Sequence, residues 1–143
     1  MGEGTEGSKP YDLEDRTLRF AKDIRALVKV LPRTIGNEQD IRQLVSASGS
    51  VGANYIEANE ALSKKDFVMR IKISRKEAKE SRYWLRLLDI GEDDSVDKNR
   101  DALIREATEL MNIFGAIVRK SQGEVKSEIR NPKLETKGNL QRS

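Results

Sequence analysis

The residues of this chain best suited to chemistry are cations. Lys64, Lys65, Lys72, Arg75, Lys76, Lys79, Arg82 and Arg86 recur at intervals that keep returning to one side of a helix. At about 100° per residue they share an arc of roughly 120°. Between Lys64 and Leu88 stand nine Lys/Arg and three Asp/Glu, an excess of six positive charges. The whole chain carries only +3, so the remainder is net acidic. Like charges three and four residues apart repel by a few tenths of a kcal/mol per pair. Only Asp66, Glu77 and Glu80 lie within the segment to relieve them. Tyr83 falls inside the arc, where an aromatic ring suits stacking on a base or a guanidinium plane. A plain solvated face and a surface for an anionic partner both remain open on this pattern. The expected nucleic-acid surface is Lys65, Lys72, Arg75, Lys76, Lys79, Arg82, Tyr83 and Arg86. Phosphate contacts of this kind are sequence-blind and sensitive to salt.

Most other chemistry is discounted by what the chain lacks. It has neither histidine nor cysteine. Histidine-based nucleophilic catalysis, thiolate or imidazole zinc sites and the Glu-x-x-His ligands of di-iron bundles therefore have no residues to form them. A disulfide framework is excluded as well. Glu57–Glu60 and Glu77–Glu80 are acid pairs at i,i+3 spacing. With abundant Lys and Arg nearby, salt bridges are expected there and a metal is not. No glycine-rich loop leads into a Lys-Ser/Thr pair, so a phosphate-binding P-loop is absent. No catalytic residue, metal or cofactor is expected, and the protein is not expected to be an enzyme.

The elements that must position these residues read as four amphipathic helices. The first opens at Asp12 as N-cap, carries Leu13, Phe20, Ala21, Ile24, Leu27, Val28 and Leu31 at helical spacing, and stops at Pro32. The second starts with Asn37 as cap and runs to about residue 62, with a core stripe of Ile41, Leu44, Val45, Ser48, Val51, Tyr55, Ala58 and Leu62. Ser63 with Asp66 three residues on approximates a capping box for the third, expected over 64–90 with Gly91 as its stop. Its core side is Phe67, Ile71, Ser74, Ala78, Ser81, Leu85 and Leu88. The fourth is expected over 95–120, with Val96, Leu103, Ile104, Ala107, Leu110, Met111, Phe114, Ile117 and Val118 inward. Short loops between such helices predict an all-α, antiparallel up-and-down four-helix bundle. The bundle should span 11–121, between flexible tails at 1–10 and 122–143. The 143 residues fit one domain able to build its own core. No apolar run reaches the ~20 residues of a membrane span, and the N-terminus lacks the pattern of a secretory signal. A cytoplasmic location is expected.

The second helix holds a stretch, Ser46 to Ala53, poor in helix propensity. Its two glycines, Gly49 and Gly52, together cost about 2 kcal/mol relative to alanine. Opposite the core stripe the wheel places Ser46, Gly49, Ser50, Ala53 and Glu57, a back nearly free of long side chains. Trp84 lies outside the core stripe of the third helix, beside Ile73, Glu77 and Glu80, as a second core wall or an interface anchor. The smooth back and the Trp84 flank together predict self-association through Ser46, Gly49, Ser50, Ala53 and Trp84.

Three stretches resemble one family. They are Ser50-Val51-Gly52-Ala53-Asn54-Tyr55-Ile56-Glu57-Ala58, Lys65-Asp66-Phe67-Val68-Met69-Arg70-Ile71-Lys72-Ile73 and Glu77-Ala78-Lys79-Glu80-Ser81-Arg82-Tyr83-Trp84-Leu85. They are similar to the bacterial four helix bundle proteins, also called the 23S ribosomal RNA intervening-sequence protein family. Tyr11-Asp12-Leu13 and Leu31-Pro32 fit it too, and the likeness covers about residues 11–120. The resemblance implies a four-helix protomer assembling into a ring-like pentamer. A relative, the accessory variability protein of diversity-generating retroelements, implies a basic barrel that binds nucleic acid and a reverse transcriptase. Asn54, Glu57 and Glu80 match recurring polar positions of structural kind, and Arg75, Lys79, Arg82 and Arg86 match the basic surface of the relative. Two functions follow as expectations. One is a non-catalytic, oligomeric protein that binds RNA or DNA or serves a ribonucleoprotein. The other is a scaffold whose basic arc meets an acidic protein, such as a reverse transcriptase.

Overall fold

A computed structural model describes residues 12–129. Four helices follow one another: α1 Leu13–Val28, α2 Ile35–Asn59, α3 Lys64–Leu87 and α4 Asp94–Ile129. Among the described residues there is no strand. The expected N-terminal tail and the end of the expected C-terminal one lie outside the described residues.

Local signals start the helices. The Asp12 carboxylate accepts from the Asp15 N–H at 3.4 Å, and the Ser63 hydroxyl accepts from the Asp66 N–H at 3.1 Å. At α4, Asp93 accepts from the backbone N–H groups of Ser95 and Val96 and from the Ser95 hydroxyl. These bonds hold the Asp93 carboxyl below its ordinary range, the Ser95 hydroxyl contributing most. Gly91 is the expected stop of α3, but that helix ends at Leu87 with Leu88 extended; Gly91, at φ +73°, instead makes the left-handed turn of the loop that leads into α4.

Several boundaries differ from the expectation. The cap of α2 is Thr34, whose hydroxyl accepts from the Asn37 N–H, so Asn37 lies inside the helix. Its buried amide is taken by the loop after α3: Nδ2 donates to the carbonyls of Pro32 and Asp89, and Oδ1 accepts from the Asp89 N–H. Helix α2 ends at Asn59, and Leu62 is 98% exposed, not core. Helices α1 and α3 stop three residues before their expected ends. Helix α4 continues nine residues past its expected end, through Gly123 to Ile129, so a helix occupies the start of the expected C-terminal tail.

The core is the one the periodicities describe. Phe20, Ile24, Leu27, Leu44, Val51, Ile71, Leu85, Leu110 and Phe114 are all but sealed from solvent. Small residues fill the rest: Ser74 is fully buried and donates to the Val51 carbonyl, which ties α3 to α2. The helices alternate in direction. Asn37, early in α2, meets Asp89 beyond the end of α3, whereas Asn54, late in α2, accepts from Arg70, early in α3. Arg100, early in α4, donates to the carbonyls of Leu85 and Leu88 at the end of α3, satisfying acceptors its last turn leaves open. The thinnest seam joins α1 to α4. Arg16 closes it with a two-pronged bond to Glu106 at 2.7 and 2.9 Å and a third bond to Glu109 at 2.7 Å. Among the described residues no helix is long and apolar enough to cross a membrane.

Candidate nucleic-acid interface

Helix α3 turns the residues Ile71, Ser74, Ala78, Ser81 and Leu85 inward. Its remaining surface is therefore fixed. One flank borders α4, the other borders α2, and the ridge between them faces out. The basic arc occupies the α4 flank and the ridge. Lys65, Lys72, Lys76, Lys79, Tyr83 and Arg86 are exposed; Arg75 and Arg82 are half-buried where α3 meets α4.

What matters electrostatically is how few of these charges are neutralised. Lys65, Lys72, Arg75, Lys79 and Arg86 have no ion pair or hydrogen bond with any described residue. Lys76 lies 3.6 Å from Glu77, and Arg82 donates to the Thr108 hydroxyl of α4 at 3.3 Å. Unpaired cations on one ridge sum their fields and raise the local concentration of anions. Tyr83 stands on the ridge with its ring edge-on to Trp84, centroids 5.0 Å apart. Lys76, Lys79, Glu80, Tyr83 and Trp84 line an open groove of about 530 Å³. The groove offers an aromatic wall, two ammonium groups and one carboxylate.

Trp84 is half-buried and packs against the core, so it serves as a second wall of the bundle while its remaining edge shapes the groove. The expected self-association face on α2 is on the outside: Ser46 and Ala53 are exposed, and Gly49 and Ser50 are half-buried. Gly52 is no part of a free back. A Cβ there would stand 2.7 Å from the Thr17 hydroxyl oxygen of α1.

The polar positions divide. Asn54 accepts from Arg70 and donates to the Ser50 carbonyl, bridging α2 and α3. Glu57 and Glu80 are exposed with no partner among the described residues. Among the described residues the expected salt bridges of the i,i+3 acid pairs form only at Glu77; Glu57, Glu60 and Glu80 are exposed and unpaired there. Among the described residues no group of three metal-ligating side chains comes together.

Arg119 is the residue the sequence pattern passes over. It belongs to α4, outside the arc, yet its side chain and that of Arg75 both cover Gly115. The signal available in the sequence was Gly115 itself, a glycine in the middle of an otherwise regular helix.

Fold and surface thus define a four-helix bundle protein with a cationic ridge on its third helix. The family model for the 23S rRNA-intervening sequence protein matches residues 11–116, and the chain belongs to that family. Among solved structures it is similar to a protein of unknown function from the S23 ribosomal protein family of Bacteroides thetaiotaomicron VPI-5482. The identity is 31% and the TM-score 0.60, over 73% of this chain and 96% of that one. No curated protein matches the chain.

Proposed function

We propose that this protein is a non-catalytic nucleic-acid-binding protein that holds RNA on the basic ridge of α3 and acts as a homo-oligomer in the cytoplasm. The observation that carries the reading is the unspent charge. Five arc cations have neither an ion pair nor a hydrogen bond with any described residue, and the exposed Tyr83 stands among them. A purely structural charged face in a chain with 24 acids would place some of them opposite those cations. The family description, which refers to 23S rRNA, makes RNA the first ligand to try. Tyr83 favours unpaired bases, whose faces are free to stack. The outward small residues of α2 support a second copy packing closely there, and the family resemblance suggests a pentamer.

The test is a binding titration with labelled single-stranded RNA, using wild type and a Lys72→Glu/Lys79→Glu/Arg86→Glu variant. These three residues make no ion pair or hydrogen bond with any described residue, so their reversal is expected to leave the fold intact. Loss of binding by at least a hundredfold with unchanged helicity is expected. Unchanged binding removes the site. Binding of acidic polypeptide with none of RNA would instead favour a scaffold for an acidic protein such as a reverse transcriptase. Light scattering tests the oligomer: a particle near 16.2 kDa would contradict it.

A further inference from the structure

Gly115 lies well inside α4, where only proline disfavours a helix more than glycine. The residue is buried, although it sits on the α3-facing edge of the helix. Two arginine side chains cover it. A Cβ at Gly115 would stand 3.3 Å from one terminal guanidinium nitrogen (Nη1) of Arg119, 3.8 Å from Arg75 Cδ and 3.9 Å from Arg75 Nη1. Arg119 reaches back one turn along α4; Arg75 reaches across from α3. Guanidinium nitrogens from two helices thus both lie within 3.9 Å of one point over bare backbone. Neither has an ion pair or hydrogen bond with a described residue.

A guanidinium stays charged at every physiological pH, so the pair repels unless an anion is shared. Each guanidinium presents a planar fork of N–H donors matched to two oxygens of a phosphate. We infer that Arg75 and Arg119 clamp one backbone phosphate of the bound nucleic acid across the groove between α3 and α4. The inference rests on the RNA-binding reading of the α3 ridge and extends that surface onto α4. Arg75 lies one turn from both Lys72 and Lys79, so the clamp is continuous with the ridge. Gly115 has a defined part: without a Cβ it lets both forks settle at one depth. A Cβ at 3.3 Å from the Arg119 nitrogen makes that fork give way by a few tenths of an ångström and changes no charge. The competing account is that the arginine stems merely shield apolar surface. In that case Gly115→Ala gains helix propensity and nothing else changes.

The experiment compares wild type, Gly115→Ala, Arg119→Gln and Arg119→Lys in single-stranded RNA titrations over a salt series, with melting curves for each. The expected result for Gly115→Ala is a higher melting temperature together with a three- to tenfold loss of affinity. Arg119→Gln should lose about tenfold and lower the salt slope by about 0.7, the share of one single-strand phosphate. Arg119→Lys, a point charge without the fork, should fall between. As a separate readout, inorganic pyrophosphate should shift the guanidinium Nε–H resonances of both arginines in wild type, and should need a several-fold higher concentration to do so in Gly115→Ala. If RNA binds and reversal of the α3 ridge abolishes it while Gly115→Ala and Arg119→Gln bind as wild type, the clamp is overturned and the RNA reading stands. If pyrophosphate shifts both resonances and no RNA binds, the clamp stands as a phosphate site and the RNA reading fails.

Discussion

The hydroxyl oxygen of Thr17 stands 2.7 Å from the point a Cβ on Gly52 would occupy, and the Thr17 Cβ stands 3.1 Å from it. Helix α1 is seated against α2 at that contact, and glycine is the residue that admits it. The hydroxyl is held in place by donating to the Leu13 and Glu14 carbonyls of its own helix. Gly52→Ala should therefore destabilise the bundle by about 1–3 kcal/mol, because forced overpacking outweighs the gain of about 1 kcal/mol in helix propensity. Thr17→Ala should recover part of the loss in the double variant. Denaturant melts of the four proteins give the coupling, and strict additivity would show that the contact does not set the seat of α1. At Gly49 the nearest group is the flexible Arg25 side chain at 3.8 Å, so Gly49→Ala should leave the protomer as stable or more so.

Asn37 ties the two loops at one end of the bundle. Its side chain is buried and makes three bonds, all between 2.7 and 2.9 Å, to Pro32 and Asp89. Asn37→Ala should cost about 2–4 kcal/mol, since it leaves backbone groups without partners in a closed site. Asn37→Asp should be no better, because a carboxylate cannot donate to the two carbonyls. Equilibrium unfolding measures the loss, and faster amide exchange at Asp89 should accompany it. A loss under about 0.5 kcal/mol, the range of an ordinary surface change, would contradict this role.

Asp93 gives the start of α4 a dependence on pH. Its folded pKa lies below the ordinary 3.8, chiefly through the Ser95 hydroxyl and then the Ser95 and Val96 N–H groups. A depressed carboxyl stabilises the fold above the ordinary value, and the contribution is lost as pH falls through the folded one. The amide resonances of Ser95 and Val96 should then titrate with a midpoint below 3.8. Asp93→Asn keeps an oxygen acceptor and should abolish that titration. A midpoint at or above the ordinary value would contradict the cap.

The bundle was legible in the sequence because its signals are local. Asp12 and Ser63 do what their types suggest, and the inward stripes of α3 and α4 follow from spacing alone; Gly91 turns the loop rather than ending α3, which stops at Leu87. The misreadings trace to tertiary demands. Thr34 and Asn37 are both good N-caps, and the choice went to Thr34 because the Asn37 amide is taken by a residue 52 positions away. Leu62 looks like the next step of the α2 stripe, but the helix has already turned at Glu60. The exposed ridge was readable from charge spacing. Its extension through Arg119 was not, because only packing brings α3 and α4 side by side at Gly115. Gly52 was counted as a cost of helix formation, and its contact with Thr17 cannot be seen from α2 alone.

The central claim is that the α3 ridge holds nucleic acid through unspent charge, and the salt dependence of binding tests it most directly. Fluorescence anisotropy of single-stranded RNA, titrated with wild type at several salt concentrations, gives the slope of log K against log salt. Three to five phosphate contacts on the ridge predict a slope of roughly −2 to −3.5. Reversal of Lys72, Lys79 and Arg86 to glutamate should bring it close to zero. A wild-type slope near zero, or one the reversal leaves unchanged, would contradict the account.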